Sequence, residues 1–460
     1  MAATFNAGQA QNAVQSNLDN IDKYEAHIAA LITHRRDAAL DEAQNLDMLA
    51  DRDEWPGPLY GMTLTVKDNF DVAGTPTTNG TSFAYSRDAE DDCFLVERVK
   101  NAGAVVVAKA NQSEYCLTVT NHNVHHGTCR NPWNLDRIAG GSSGGSAASV
   151  AAGFATASIG SDSGGSIRIP ASLNGLVGLR PSAGRLSNRR TDMTRVATFT
   201  AGGPIAHRAT DIARLFHVMD AYDRSDVTSV DLPRDRSPVF PHEGIEGLRI
   251  GVPTNFWLDD IDNEILTAVR TGIDTLVALG GNVVEIQVPG SEVCQAQMTP
   301  MVTANFHALY GDYLTRGLSE TDPEVVSFLE TGASVSATQY AESAMFRQQW
   351  RRTLDNVFQD VDVLVSPTVP APTPPIGWKP DYSEMINFTR LTYPQAFAGV
   401  PAISIPCGFR TDGMPIGLQL TGGYWRDSLL VRSAIAFQGA TDFHTARPHI
   451  VPRLEVAPTV

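Results

Sequence analysis

Residues 140–170 read GGSSGGSAASVAAGFATASIGSDSGGSIRIP and contain eight glycines and eight serines. An apolar segment, residues 147–159, separates the two Ser-Gly clusters. Its pattern is first helical and then extended, which is not typical of a flexible linker. Glycines let backbone N–H groups approach a ligand closely, and serines supply hydroxyl nucleophiles and proton relays. The stretch therefore predicts two polar loops, joined by a buried helix and a strand, at the floor of a catalytic site.

The segments on either side alternate between helical and extended patterns. Residues 11–36 predict an amphipathic helix, because apolar side chains recur there at steps of three and four. Further helices are predicted over 37–50, 92–101, 211–219, 264–279 and 427–437, and strands over 64–66, 104–108, 282–286, 363–365, 402–405 and 417–420. This alternation predicts an α/β fold: a single large domain with a mixed β-sheet flanked by helices.

Composition narrows the function classes. The 460 residues carry 35 Lys and Arg against 51 Asp and Glu, a formal net charge of −16, which argues against nucleic acid and anionic membranes as partners. Five scattered cysteines without a C-x-x-C pair favour reduced thiols. We expect no signal peptide and see no apolar run of roughly 18 residues that could span a membrane, so the sequence predicts a cytoplasmic protein.

Several separate motifs occur in an order similar to that of the amidase signature family of serine hydrolases. They are Gly57-Pro58-Leu59-Tyr60-Gly61, Val66-Lys67-Asp68, residues 111–114 and 127–132, the 140–170 stretch, and residues 362–368, 399–406 and 412–420. The resemblance covers about residues 55–440 and implies the fold of that family. We accordingly expect an N-terminal helical segment (1–55) packing on a catalytic domain (56–445), with a C-terminal tail (446–460).

The resemblance implies a catalytic set of Lys67, Ser142 and Ser166. In that family a lysine activates the nucleophilic serine through a bridging serine that a cis peptide bond holds in place. The residues fit this chemistry: Lys67 follows the apolar run Leu64-Thr65-Val66, and burial disfavours the charged ammonium form of a lysine. A neutral amine can accept a proton, and a serine hydroxyl can both donate and accept one. Ser166 would then attack the carbonyl carbon.

The resemblance also implies groups that assist the reaction. The oxyanion would be stabilised by backbone N–H groups of Ser163, Gly164, Gly165 and Ser166, with a helix beginning after Ser166. Ser143, Asp162 and Arg168 would support the two serine loops. The chain departs from the family where serines flank Asp162 in place of the more usual threonines, and at residues 393–398, where a Pro-Phe-Asn type of run is more usual. The second departure bears on substrate contacts.

Other interpretations of these residues remain to be weighed. Residues 141–145 also fit G-x-S-x-G, with Ser143 as nucleophile and His444 or His449 as base, but the preceding residues 134–139 are not the strong apolar strand that such an elbow requires. His122, His125 and His126 could suggest a metal site, although no carboxylate or cysteine cluster accompanies them; a polar loop at the mouth of the cleft is the alternative. A Walker loop is excluded because Gly-Lys-Ser/Thr is missing.

The sequence thus predicts an amidase that needs neither cofactor nor metal and cleaves the C–N bond of small or aryl amides through an acyl-serine. Alternatives are a carbamate (urethane) or ureido hydrolase, an amidotransferase A-type subunit, and a binding protein on an inactive scaffold. The expected partner is a small-molecule amide or carbamate, and a homodimer is left open. Pocket residues are expected near 122–126, 298–313, 345 and 393–397.

Overall fold

The computed structural model describes residues 8–191, 199–233, 244–312 and 321–450, and their architecture is α/β. The strands are β1 (Leu31–His34), β2 (Thr63–Lys67), β3 (Pro76–Thr77), β4 (Arg87–Asp88), β5 (Val105–Ala110), β6 (Arg130–Asn131), β7 (Asn134–Ile138), β8 (Ala157–Asp162), β9 (Val177–Arg180), β10 (Ala201–Ala206), β11 (Arg249–Pro253), β12 (Asn282–Ile286), β13 (Val363–Pro367), β14 (Ala402–Phe409) and β15 (Pro415–Gly422). The helices are α1 (Gln9–Ile28), α2 (Arg36–Asp51), α3 (Phe94–Asn101), α4 (Gly144–Ala151), α5 (Arg168–Leu173), α6 (Ala209–Met219), α7 (Asn263–Ala278), α8 (Cys294–Tyr310), α9 (Pro323–Ser334), α10 (Ala337–Asp360), α11 (Tyr382–Thr389), α12 (Tyr393–Ala398) and α13 (Asp427–Gly439).

Eleven strands form one mixed sheet in the order β1-β5-β2-β8-β10-β9-β14-β15-β13-β11-β12. The β5-β2-β8 and β13-β11-β12 groups are parallel, whereas β8-β10-β9-β14-β15-β13 are joined by antiparallel pairings. This is the mixed sheet that the alternating sequence pattern predicts. Two short hairpins, β3-β4 and β6-β7, lie outside it.

Apolar side chains cover both faces of the sheet. One face packs against α3, α6, α7 and α13 in a core that includes Leu64, Ile159 and Leu418. Residues of α4 and α5 form a second cluster with Ile205 of β10, and α1 and α2 pack with Val105 and Val107 of β5. No helix within the described ranges is long and apolar enough to cross a membrane.

The predicted helix over residues 11–36 is wrong at its C-terminal end. The helix ends at Ile28, because Ala29 takes a left-handed backbone conformation with φ of 54°. Residues Leu31–His34 instead pair with β5 as an edge strand. The apolar spacing of three and four continues by chance into residues 31–34, although the backbone of that segment pairs with β5 of the sheet. Of the expected tail (446–460), residues 451–460 lie outside the described residues.

The sheet brings the two polar loops together. β2 and β8 are parallel neighbours with Val66 opposite Ile159, so Lys67 and Asp162 both end their strands at the same edge. Ligand sites of α/β sheets are found outside the carboxyl ends of such strands. Helix α4 packs across β2 and β8, and the loop before it carries Ser142 and Ser143.

Candidate active site

Lys67 has a completely buried amine between two serine hydroxyls. Its Nζ lies 2.8 Å from Ser142 Oγ and 2.9 Å from Ser161 Oγ, and the residue is 0% exposed. Desolvation by burial lowers the pKa of Lys67 below its ordinary value, against the opposing influence of Cys116 and Asp162. Burial of this kind makes the neutral amine accessible nearer to neutral pH.

Ser142 follows a cis peptide bond, Gly141–Ser142. Gly141 is packed closely there, since a Cβ on it would lie 2.6 Å from the carbonyl oxygen of Thr118. The next residue, Ser143, donates its Oγ hydrogen to the Ser161 carbonyl at 3.1 Å and its backbone N–H to the Ser166 carbonyl at 3.2 Å. Ser143 therefore links the loop before α4 to the loop after β8.

Ser166 lies in that second loop, two residues before α5 begins at Arg168. It is partly exposed and lines a cavity together with Ser163 and Gly164. Its hydroxyl makes no hydrogen bond to another residue of the described ranges. The structure thus places Ser166 at the surface of the cavity, whereas Ser142 and Lys67 are completely buried and do not line it.

The backbone N–H groups of this loop do not all point the same way. The Gly165 N–H donates to Asp162 Oδ1 at 2.8 Å. It is therefore already used and does not serve the oxyanion, which is the role that the family resemblance implied for it. The N–H groups of Ser163, Gly164 and Ser166 have no partner among the described residues. Gly165 has φ of +130°, and a Cβ on it would lie 2.3 Å from Thr392 Oγ1, so only glycine fits this position.

Asp162 is the buried charge around which the loop is built. Arg168 donates to both of its carboxylate oxygens, at 2.9 and 3.0 Å, and Arg180 Nη1 lies 3.6 Å from Oδ1. All three side chains are 0% exposed. Burial alone would raise the pKa of Asp162, but the two guanidinium groups outweigh it and hold the pKa at about 2. The carboxylate is therefore ionised and paired.

Arg168 connects the loop to distant parts of the chain. Its guanidinium donates to Gln419 Oε1 at 2.8 Å, to Gln395 Oε1 at 3.1 Å and to the Thr392 carbonyl at 2.8 Å. The sequence analysis gave no role to Gln419 and placed Gln395 only within the predicted pocket range 393–397. Ser161 and its contact with Lys67 were missed in the same way.

The cavity beside Ser166 has a volume of about 70 Å³ and is partly open to solvent, so it need enclose only part of a substrate. Its lining is largely aromatic and aliphatic: Tyr115, Cys116, Leu117, Val119, Ser163, Gly164, Ser166, Ile169, Phe199, Met298, Val302, Phe306, Tyr310, Phe328 and Tyr393. Met298 through Tyr310 and Tyr393 fall in the predicted pocket ranges, whereas Tyr313 lies outside the described residues. A larger groove of about 810 Å³ includes none of the candidate residues.

Three of the predicted pocket contributions do not line the cavity: the loop of residues 122–126, Met345 and Phe397. Met345 is 61% exposed on α10, and Phe397 is buried in the core cluster of Trp350 and Leu354. The three histidines each have a separate partner: His122 bonds Thr128 Oγ1, His125 lies 3.5 Å from Glu114, and His126 bonds the Thr81 carbonyl. Within the described residues no cluster of His, Cys, Asp or Glu could hold a metal ion.

Cys116 is a cavity residue that sequence reasoning missed. It is the one cysteine of the five that is not fully buried, and its interaction with Lys67 opposes the lowering of the pKa of that lysine by burial. Its backbone is left-handed, with φ of 64°. No linear pattern signals this position, since a turn rather than a strand or helix brings it to Lys67.

Replacing Asp162 by asparagine should lower the free energy of unfolding by about 3–5 kcal/mol, because two buried guanidinium groups lose their counter-charge. Since the pKa of Asp162 is depressed to about 2, its stabilisation is present above pH 3.8 and is lost as the pH falls toward about 2. Urea unfolding at pH 7 measures the difference. Asp362→Asn is the matched control: Asp362 pairs with Arg249 at the surface and should cost less than about 1 kcal/mol. Equal losses in the two variants would contradict the assignment.

Comparison with known proteins agrees with this architecture. A model of the amidase family matches residues 12–431. The A-type chain of the glutamyl-tRNA(Gln) amidotransferase of Oceanobacillus iheyensis is 32% identical over 466 residues, which cover 96% of this chain and 95% of that protein. The structure of 6-aminohexanoate cyclic dimer hydrolase complexed with substrate superposes with a TM-score of 0.86 at 27% identity over 96% of each chain. A bacterial aryl acylamidase of the amidase signature enzymes gives a TM-score of 0.84 at 25% identity, covering 94% of this chain and 93% of that one. The chain belongs to the amidase signature family.

Proposed function

We propose that this protein hydrolyses small neutral or aryl amides through an acyl intermediate on Ser166, with Lys67 as base and Ser142 as the bridging group. The observation that carries the proposal is the 2.8 Å contact between the buried Lys67 amine and the Ser142 hydroxyl. Ser142 lies next to Ser143, whose N–H binds the Ser166 carbonyl, and Ser166 faces the cavity. A base, a relay and a nucleophile are the parts that such a reaction needs.

The proton moves away from the cavity during attack. The neutral Lys67 amine takes the proton of Ser142 Oγ, Ser142 takes the proton of Ser166 Oγ, and Ser166 Oγ bonds to the carbonyl carbon. Collapse of the tetrahedral intermediate breaks the C–N bond, and the proton returns along the same path to the leaving amine. Water then attacks the acyl-Ser166 by the reverse sequence and releases the acid.

The developing oxyanion needs N–H donors that are not already used. Ser163, Gly164 and Ser166 offer such groups, as their N–H groups bind no other described residue. The Gly165 N–H instead donates a hydrogen bond to Asp162 and so fixes the conformation of the loop. This division explains why one loop can be both rigid and open to an anion.

The cavity favours a neutral substrate. None of its described lining residues has a carboxylate, ammonium or guanidinium group. Glutamine would bring an α-ammonium and an α-carboxylate, whose desolvation without partners costs several kcal/mol. Similarity to an aryl acylamidase and to a cyclic amide hydrolase supports the same substrate class. Carbamates, ureido compounds and esters fit the same chemistry and differ only in the group attached to the carbonyl.

An amidotransferase A-type subunit is the second candidate. It is favoured by the 32% identity over nearly the whole chain to the A-type chain of a glutamyl-tRNA(Gln) amidotransferase. That function needs a glutamine pocket, and the uncharged lining beside Ser166 offers no group for its charged ends.

Ser166→Ala should lower kcat at least about a thousandfold, because the acyl acceptor is removed. The same variant should lose the covalent adduct that a fluorophosphonate forms on the wild-type chain, which intact mass spectrometry and peptide mapping detect. Ser146→Ala is the matched control, since Ser146 is a buried serine of the neighbouring helix α4. An adduct on another serine, or full activity of Ser166→Ala, would refute the proposed nucleophile.

The rate should rise with pH toward mildly alkaline values. The active form of Lys67 is the neutral amine, whose fraction increases as the pH approaches the pKa that burial has lowered. Lys67→Arg keeps a positive charge but cannot become neutral, so it should lose at least about a hundredfold in kcat at every pH while remaining folded. A wild-type profile of kcat/KM that is highest near pH 5 would contradict this role.

A panel of substrates with one leaving group should separate the candidates. The isolated chain should hydrolyse a neutral aryl or acyl 4-nitroanilide with a kcat/KM at least about a hundredfold above that for glutamine, given the cost of desolvating charged groups. The corresponding carbamate and ester measure the preference at the carbonyl. Hydrolysis of glutamine that appears only when partner subunits are added would favour the second candidate instead.

A further inference from the structure

Four aromatic rings form one wall of the cavity beside Ser166. The Tyr115 ring lies 4.6 Å from Tyr310 and 5.9 Å from Phe306 of α8, and Phe306 lies 5.5 Å from Phe328 of α9. These rings belong to one cluster with Val325 and Leu329 of α9. The width of the cavity on this side therefore depends on how the turn of Tyr115 is held against α8 and α9.

A buried carboxylate connects that turn directly to α9. Glu114 precedes Tyr115 and is 3% exposed. Its Oε2 accepts a hydrogen bond of 2.8 Å from the backbone N–H of Asp322, and Asp322 is the N-cap residue of α9, with its side chain accepting from the Glu324 N–H. The other oxygen, Oε1, lies 3.5 Å from His125 Nε2. Glu114 does not line the cavity.

The turn that Glu114 begins has an unusual backbone. Tyr115 and Cys116 both take left-handed conformations, with φ of 50° and 64°. Such conformations cost free energy for residues other than glycine and persist where the surroundings hold them. The Tyr115 N–H bonds the Asn79 carbonyl at 2.8 Å, and the carboxylate of Glu114 supplies a contact from this turn to the N-terminus of α9.

We infer that Glu114 is a positioning residue for substrate selection: it fixes the aromatic wall by holding the turn of Tyr115 to the N-cap of α9. The inference rests on the proposed function, because it concerns which group of the substrate fits beside Ser166. When the aromatic wall is fixed, a neutral substrate group of the size of an aromatic ring packs against it and binds more tightly. Smaller groups contact the wall less, so their binding depends less on its position. Burial raises the pKa of the Glu114 carboxyl group, so an ionised carboxylate at this position costs free energy. An apolar side chain would fill the same space without that cost.

Two replacements of Glu114 separate the hydrogen bond from the charge. Glu114→Leu fills the space without an acceptor, whereas Glu114→Gln keeps an oxygen for the Asp322 N–H. In a Ser166→Ala background, which removes the chemistry, the Kd of benzamide should rise about tenfold or more in the Leu variant and stay within about threefold in the Gln variant, because only the Leu variant leaves the Asp322 N–H without an acceptor and releases the turn of Tyr115 from α9. The Kd of acetamide should stay within about threefold in both.

In the background with Ser166 intact, the same Leu variant should raise the KM of a benzoyl 4-nitroanilide and leave the kcat of the acetyl compound within about threefold. Glu324→Ala, at the same helix end, is the matched surface control. A benzamide Kd that the Leu variant leaves unchanged, or that the Gln variant raises equally, would overturn the inference. If the Glu114→Leu variant does not fold, Phe328→Ala tests the aromatic wall instead. An unchanged ratio of the Kd values of benzamide and acetamide in that variant would overturn the inference. Failure of the proposed function shows separately, as a wild-type chain that is not labelled at Ser166.

Discussion

A lysine amine removed from water is the constraint on which the site depends. The Lys67 Nζ has two hydroxyl neighbours, at 2.8 and 2.9 Å, and no exposure. Water would hold it as an ammonium ion, which cannot accept a proton, and burial removes that preference. The position of the amine is set by β2, that of Ser161 by β8 and that of Ser142 by the loop before α4. The parallel pairing of β2 with β8 is what brings these three segments to one point.

The loop that carries Ser166 depends on a second buried group, the carboxylate of Asp162. Its pairing with Arg168 and Arg180 places two cations behind the loop and fixes the Gly165 N–H. Arg168 in turn binds Gln419 of β15 and Gln395 of α12. The geometry at Ser166 is therefore set by residues more than two hundred positions away, and the loop holds its shape through charge and hydrogen bonding rather than through regular secondary structure.

The sequence predicts the parts of this molecule that have a local signal. The helix and strand within residues 140–170 are confirmed as α4 and β8, and the alternation of apolar segments predicts the mixed sheet. The roles proposed for Lys67, Ser142 and Ser166 follow from the family resemblance and stay predictions. Residues 31–34 were predicted as helix because periodicity alone does not reveal pairing with β5. Cys116, Gln419 and the contact of Gln395 with Arg168 were missed because they arise from tertiary contacts, which no spacing in the chain encodes.

The proposed catalytic residues and much of the aromatic wall lie on different segments of the chain, which has a consequence for how substrate specificity changes in such a protein. The proposed proton relay comes from β2 and the loop before α4, with Ser161 of β8 beside it, all within the first half of the chain, whereas much of the aromatic wall comes from α8 and α9, which lie between β12 and β13. Exchange of that segment would give the reaction a new substrate without disturbing the residues that perform it. Changes of specificity in such a scaffold would then fall largely in a segment that lies apart from the candidate catalytic residues, with further contributions from Tyr115 and Tyr393 elsewhere in the chain.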